Sequence, residues 1–234
     1  MDTRQEKWKI LSGSALKMLA VVSMLVDHLA AYLWYEEPWC TAVLFSVGHK
    51  EISAYVLMRM FGRIAFPLFA FLLVEGFQHT RSRKRYGIQL FIFALLSEIP
   101  YNLVHGGWFY RGQNIFFTLL LGFLGLCALE RFREDNKKQL LSLLGLLIVS
   151  IFLRADYGCS GYGFILLLYV LRKQELVRAI IGCCVLGSRW MAGTAFIPIA
   201  LYNGKRGFVR GPVGKYFSYL FYPLHLLIIW LIAS

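Results

Sequence analysis

No stretch of this sequence reads as a soluble domain. Charged residues make up only 16% of the chain, against 58% hydrophobic residues, and soluble domains are less apolar and more charged than this. There is no long linker, low-complexity run or clear internal repeat, which argues against disordered tails and repeat arrays. Cysteine is sparse as well. Cys40, Cys127, Cys159, Cys183 and Cys184 show no metal-ligand spacing, and an odd total does not suit a disulfide framework. Cys127, Cys183 and Cys184 read as small apolar helix residues; Cys40 and Cys159 are either a pair near one face or free thiols. No metal site is expected. The one acid–histidine pair at i, i+4, Glu75 and His79, sits at a loop edge with no third ligand nearby in sequence. No small-residue cleavage site follows the first apolar block, so that block is expected to stay as an anchor.

What the sequence does have is apolar blocks of about 20 residues, the length that spans a bilayer, and a mean hydropathy of +0.58. Nine candidate spans fall at roughly 15–35, 56–77, 86–104, 114–131, 138–154, 158–171, 175–189, 190–203 and 215–233. The sixth, seventh and eighth are short, and Pro198 interrupts the eighth. The expected fold is all-α: a polytopic transmembrane helical bundle forming a single integral membrane domain over residues 1–234.

The formal net charge of +12 fits either nucleic-acid binding or membrane orientation. Its distribution favours the second. Nineteen of the 25 basic residues lie on alternate loops, in "HTRSRKRY" for example, while Lys50, Arg59, Arg63, Arg111, Arg154 and Arg189 lie on the other side. Basic residues gather on the cytoplasmic side of membrane proteins. The N-terminus is therefore expected inside and, with nine spans, the C-terminus outside. Nucleic acid is not needed to explain the charge.

Ionisable groups within spans are candidates for function. In "LKMLAVVSMLVDHLAAYLW", Asp27 and His28 lie well inside the first span. Arg59 and Arg63 share a face of the second, Glu98 and Asn102 a face of the third, and Asn114 and Thr118 a face of the fourth, each pair being four apart. Asp156 and Tyr157 occupy the turn after the fifth span, and His225 lies near the middle of the ninth. Structural alternatives stand beside several of these. Arg59 and Arg154 either snorkel to the interface or serve a site. Asn102 either caps a helix or bonds a ligand, Glu98 in "EIP" either marks a helix end or acts chemically, and His225 either packs or reacts.

Lys17, Val21, Met24 and His28 form one helical stripe, with Lys17 roughly 16 Å from His28 at 1.5 Å per residue. Such a face suits an elongated donor with an anionic head and a reactive tail, as in coenzyme A thioesters; the alternative is that Lys17 only anchors the helix.

The segments "KMLAVVSMLVDHLA", "RMFGRIAFPLFAFLLVEGFQHT", "RYGIQLFIFALLSEIPYNLV", "NIFFTLLLG", "ADYGCSGYGFILLLYVLR" and "KYFSYLFYPLHLLIIWLI" resemble the TraX family of membrane proteins, in order and over almost the whole chain. The resemblance implies an association with N-terminal acetylation of conjugative pilin. It also implies kinship with acyltransferase-3-type enzymes, whose first helix carries an Arg, ten residues and a His. Lys17 and His28 have that spacing with Lys in place of Arg, and "YPLHLL" around His225 is similar to their last-helix aromatic–histidine segment.

The reading that follows is a multi-pass acyltransferase of a bacterial inner or plasma membrane, surrounded by lipid. It would move an acetyl group from cytoplasmic acetyl-CoA to an amine or hydroxyl at the outer face, on a peptide N-terminus or a glycan. His28 is expected to be the general base, an imidazole titrating near neutrality. Asp27 is expected to orient a partner such as an arginine, Glu98 or Asp156 to orient the imidazole, and His225 to assist. Arg59, Arg63, Asn102, Asn114 and Tyr157 are candidates to hold the acceptor or the developing oxyanion, and Lys17 to hold donor phosphates. The alternative is a proton-coupled transporter or channel using the same groups.

Overall fold

The computed structural model describes residues 8–186, 190–209 and 211–234. Of the basic residues counted above, Arg4, Lys7, Arg189 and Arg210 lie outside the described residues, as does the end of the seventh candidate span. Helices follow one another along the chain: α1 (Gly13–His28), continued by a π-helical turn (Leu29–Leu33), α2 (Pro38–Thr41), α3 (Ala54–Gly62), α4 (Ala65–His79), α5 (Arg83–Val104), α6 (Ile115–Arg131), α7 (Asn136–Leu153), α8 (Gly158–Val170), α9 (Glu175–Leu186), a 3₁₀ segment (Trp190–Ala195), α10 (Phe196–Ala200) and α11 (Gly211–Ala233). The fold is mostly helical, as expected, but not purely so. Between α2 and α3 an antiparallel hairpin pairs β1 (Val43–Val47) with β2 (Lys50–Ser53).

The helix starts follow from their caps. Ser12, Ser53, Ser82, Asn114 and Asp135 each accept a backbone N–H of the first turn of α1, α3, α5, α6 and α7. These side-chain oxygens satisfy donors that the helix itself leaves orphaned.

Five described stretches are long and apolar enough to cross a membrane: Gly13–Leu33, Ala54–His79, Arg83–Val104, Asn136–Leu153 and Tyr216–Ala233. The expected fourth span, α6, is 17 residues long, and the sixth and eighth correspond to the shorter apolar stretches Gly158–Val170 and Met191–Ala200. The second candidate span breaks at Arg63 and Ile64, between α3 and α4. On α7 the only buried residue is Ser150, while Leu140, Leu141, Leu144, Ile148, Ile151 and Phe152 are exposed. An apolar surface this continuous is unfavourable in water and matches lipid. The protein is an integral membrane protein. Cys40 is a buried free thiol and Cys159 an exposed one.

The chain forms two compact units, one comprising Met1–Phe69 and Ser188–Ser234, the other Ala70–Gly187. In the first, α1 packs on α3 and α11, and Ser23 Oγ donates to the Phe61 carbonyl at 2.8 Å. The segment after α10 is tied to the start of α1: Gly13 N–H donates to Lys205 O, and Ser14 donates to Arg206 O from both its N–H and its hydroxyl. In the second unit α6 is central and packs on α5, α7 and α8. Gly122 permits the close approach of α6 to α8, because a Cβ there would run into the Ile165 side chain. Small residues serve helix contacts in this way in membranes, where burial of apolar surface drives nothing.

Candidate functional site

The first unit holds a hydrogen-bonded pair of imidazoles. His28 ends α1 and His225 lies in α11, 197 residues later, and His28 Nδ1 meets His225 Nε2 at 2.6 Å. The ring planes are parallel to within 1°. His225 is 4% exposed, and its Nδ1 lies 2.7 Å from the Phe221 carbonyl. A carbonyl only accepts, so His225 Nδ1 carries a proton. In the neutral ring its Nε2 then holds the lone pair, which obliges His28 Nδ1 to donate. A neutral His28 therefore keeps its basic lone pair on Nε2. The chain Phe221 O, His225, His28 fixes both tautomers from the backbone outward, and a positive charge developing on His28 would be stabilised by the lone pair of His225.

Aromatic rings enclose the pair. Tyr32 and Tyr222 lie 5.7 Å and 6.2 Å from the His28 ring, and Phe221 stacks on His225 at 4.9 Å. Tyr32 is one helical step of four from His28, the spacing that puts side chains on one face, so the sequence already contained this neighbour. Tyr222 follows from the aromatic character of "FYPLH". His28 itself is half-buried.

Asp27 turns to a different partner, as its offset of about 100° from His28 requires. Arg59 Nη1 donates to Asp27 Oδ2 at 2.7 Å and to its carbonyl at 3.2 Å. Gly62 makes this possible, since a Cβ at that position would fall on the Asp27 side chain. Sequence reasoning missed Gly62 because nothing local distinguishes it from other helical glycines. Arg63 caps the end of α3 through its backbone N–H, and its half-buried guanidinium makes no hydrogen bond or ion pair among the described residues. Lys17 lies half-buried on α1, one turn beyond the Ser14 contact with Arg206.

The other sequence-selected residues belong to the second unit. Asn114 is fully buried. Its Oδ1 caps α6 by accepting from Phe116 N–H at 3.0 Å, while its Nδ2 donates to Ala94 O at 2.8 Å and to Glu98 Oε1. Glu98 also accepts the Asn114 backbone N–H at 3.2 Å. Asn102 Nδ2 donates to Trp108 O at 3.1 Å and so holds the loop after α5. The Asp156 carbonyl accepts from the Thr118 hydroxyl, and its backbone N–H donates to Gln113 O at 2.9 Å. Arg154 and Tyr157 on either side have φ of 49° and 62°, a left-handed conformation rare for residues with a side chain. Where an acid was expected to orient the imidazole, the group on His28 Nδ1 is another histidine; the Glu98 carboxylate is engaged by Asn114.

The TraX protein family matches residues 12–233 of this chain. The chain belongs to the TraX family. Among curated proteins it is similar to "Probable fimbrial assembly protein FimC, serogroup H1" of Dichelobacter nodosus, with 26% identity over 92% of this chain and 93% of that protein. No solved structure matches it significantly. The TraX match takes in both histidines and the Asp27–Arg59 pair. Among the described residues no cluster of three or more His, Cys, Asp or Glu side chains could hold a metal ion.

Proposed function

We propose that this TraX-family protein is a membrane-embedded acetyltransferase that moves an acetyl group from acetyl-CoA to an amine or hydroxyl at the outer face of a bacterial inner membrane. The observation that carries the proposal is the His28–His225 hydrogen bond with its fixed tautomers. His28 Nε2 takes the acceptor proton as the acceptor nitrogen or oxygen attacks the thioester carbonyl carbon. The tetrahedral oxyanion then collapses, the C–S bond breaks, and the imidazolium returns its proton to the leaving thiolate. Lys17, roughly 16 Å down the same helix, meets the donor phosphates. The relative named for fimbrial assembly supports a fimbrial or pilin N-terminus as acceptor.

The proposal includes the topology: nine spans, the N-terminus and "RSRKR" loop inside, and Ser234 outside. A phosphatase fused after Ser234 is expected to be active and one after Arg85 inactive. The reverse pattern would move the acceptor to the cytoplasmic side.

The deciding experiment is acetyl transfer from labelled acetyl-CoA by the purified, monodisperse protein, with a pilin N-terminal peptide as acceptor, beside a mass comparison of membrane proteins from cells with and without it. A missing acetyl mass shift in both would sink the enzyme reading. The second reading, a proton-coupled transporter, is favoured by the same imidazole pair acting as a relay; it predicts proton flux into proteoliposomes without acetyl-CoA.

A further inference from the structure

The second unit carries a cavity of about 400 Å³ between α5 and α6, lined by Arg83, Lys84, Gly87, Ile88, Phe91, Leu120, Phe123, Leu124 and Cys127. Seven of these nine positions are apolar or glycine, and the two cations stand together at one end, in the first turn of α5. From Arg83 to Phe91 the helix rises eight residues, about 12 Å. One leaflet of a bilayer core is about 15 Å deep. The groove thus has cations at headgroup height and hydrocarbon walls over most of one leaflet.

Arg83 is held in place at the mouth. Its guanidinium lies 4.4 Å over the Phe77 ring, and its Nη2 is 3.9 Å from Glu130 Oε2, too long for a hydrogen bond. Glu130 is also engaged by the Tyr169 hydroxyl. Lys84 is exposed, and Arg81 and Arg85 flank the pair in sequence. One carboxylate therefore faces a cluster of cations, and the mouth keeps a positive excess. Basic pockets of this kind between spanning helices suit anionic headgroups.

We propose that the α5–α6 groove is a binding site for an anionic phospholipid, with one acyl chain along Ile88, Phe91, Leu120 and Leu124 and the phosphate on Arg83 and Lys84. The site is independent of acyl transfer. A second protein helix is the competing occupant, but it would need an apolar mouth where this groove has two cations.

The test is native mass spectrometry of the full-length protein in detergent, titrated with phosphatidylglycerol and, separately, phosphatidylcholine of the same acyl chains. Wild type is expected to retain phosphatidylglycerol roughly thirtyfold more tightly, from the contribution of two basic residues. Lys84→Gln, at an exposed position where folding is not at stake, should lose part of that preference, and Arg83→Gln with Lys84→Gln most of it. Ile88→Trp, which fills the groove, should weaken both lipids. Equal retention of the two lipids by wild type would overturn the proposal, as would an unchanged preference in the double variant. Displacement of phosphatidylglycerol by excess inorganic phosphate alone would also overturn it, because the groove would then be an anion site with no use for the chain.

Discussion

Polar side chains inside the spans do different jobs in the two units. In the first, titratable groups meet other titratable side chains from distant parts of the chain: His28 with His225, Asp27 with Arg59. In the second, apart from the Glu130 cluster with Arg83 and Tyr169, polar groups close helix ends and loops: Asn114 caps α6, Glu98 braces Asn114, Asn102 holds Trp108, and the Thr118 hydroxyl secures the Asp156 turn. A backbone group left unpaired in hydrocarbon is costly, so the helix-end and loop contacts of the second set are explained by structure. The imidazole pair is not, because no orphaned backbone group requires two histidines to meet. A polar residue in a membrane span is thus a weak functional signal until its partner is known.

The sharpest way to break this contrast is at His28. His28→Gln keeps a polar side chain and removes the base, and acetyl transfer should fall by about 10²–10⁴-fold with thermal stability in detergent near that of wild type. Near-normal turnover in the folded variant would remove His28 from the mechanism. His225→Ala should cost less. Partners that fix an imidazole's orientation are worth about 10–100-fold at metal-bound histidines, and a kcat loss in that range is expected here with the acetyl-CoA KM little changed. If KM rises while kcat holds, His225 serves binding and not tautomer control.

Stability effects come next. Arg59→Gln leaves Asp27 without its cation. Breaking a buried ion pair costs about 3–5 kcal/mol, and less is expected here, since the two side chains keep 25% and 16% of their exposure. Gly62→Ala should act in the same direction by pushing on Asp27. Both are read as a lowered Tm in detergent. The last effect belongs to the second unit: Asn114→Ala removes a cap worth about 0.5–2 kcal/mol together with the bonds to Ala94 O and Glu98, and should lower Tm while sparing kcat. A kcat collapse at unchanged Tm would place chemistry in the second unit and dissolve the contrast.

The helices were legible because each is an apolar block near bilayer length. The candidate spans at 15–35, 86–104 and 138–154 correspond to Gly13–Leu33, Arg83–Val104 and Asn136–Leu153, and the shifted starts are due to caps and polar first turns that hydropathy does not register. The hairpin at 43–53 was not legible, being a short apolar run with no length to separate it from a loop. The break at Arg63 was hidden because α3 and α4 are apolar on both sides of it. Among the site residues, sequence selected His28, His225, Asp27 and Arg59 but could not join them, since pairing across helices is decided by packing. Gly62 was invisible for the same reason: its role exists only once Asp27 arrives beside it.

The separation of the two histidines also sets a clock. His28 leaves the ribosome with the first helix and His225 with the last, 197 residues later, an interval of about 10–40 s at ordinary rates of synthesis. Until then the His225 ring that fixes its proton is missing, and a chain cut short anywhere before α11 never acquires that ring. The imidazole pair therefore forms late: it can exist only once the chain has been made through His225 in α11.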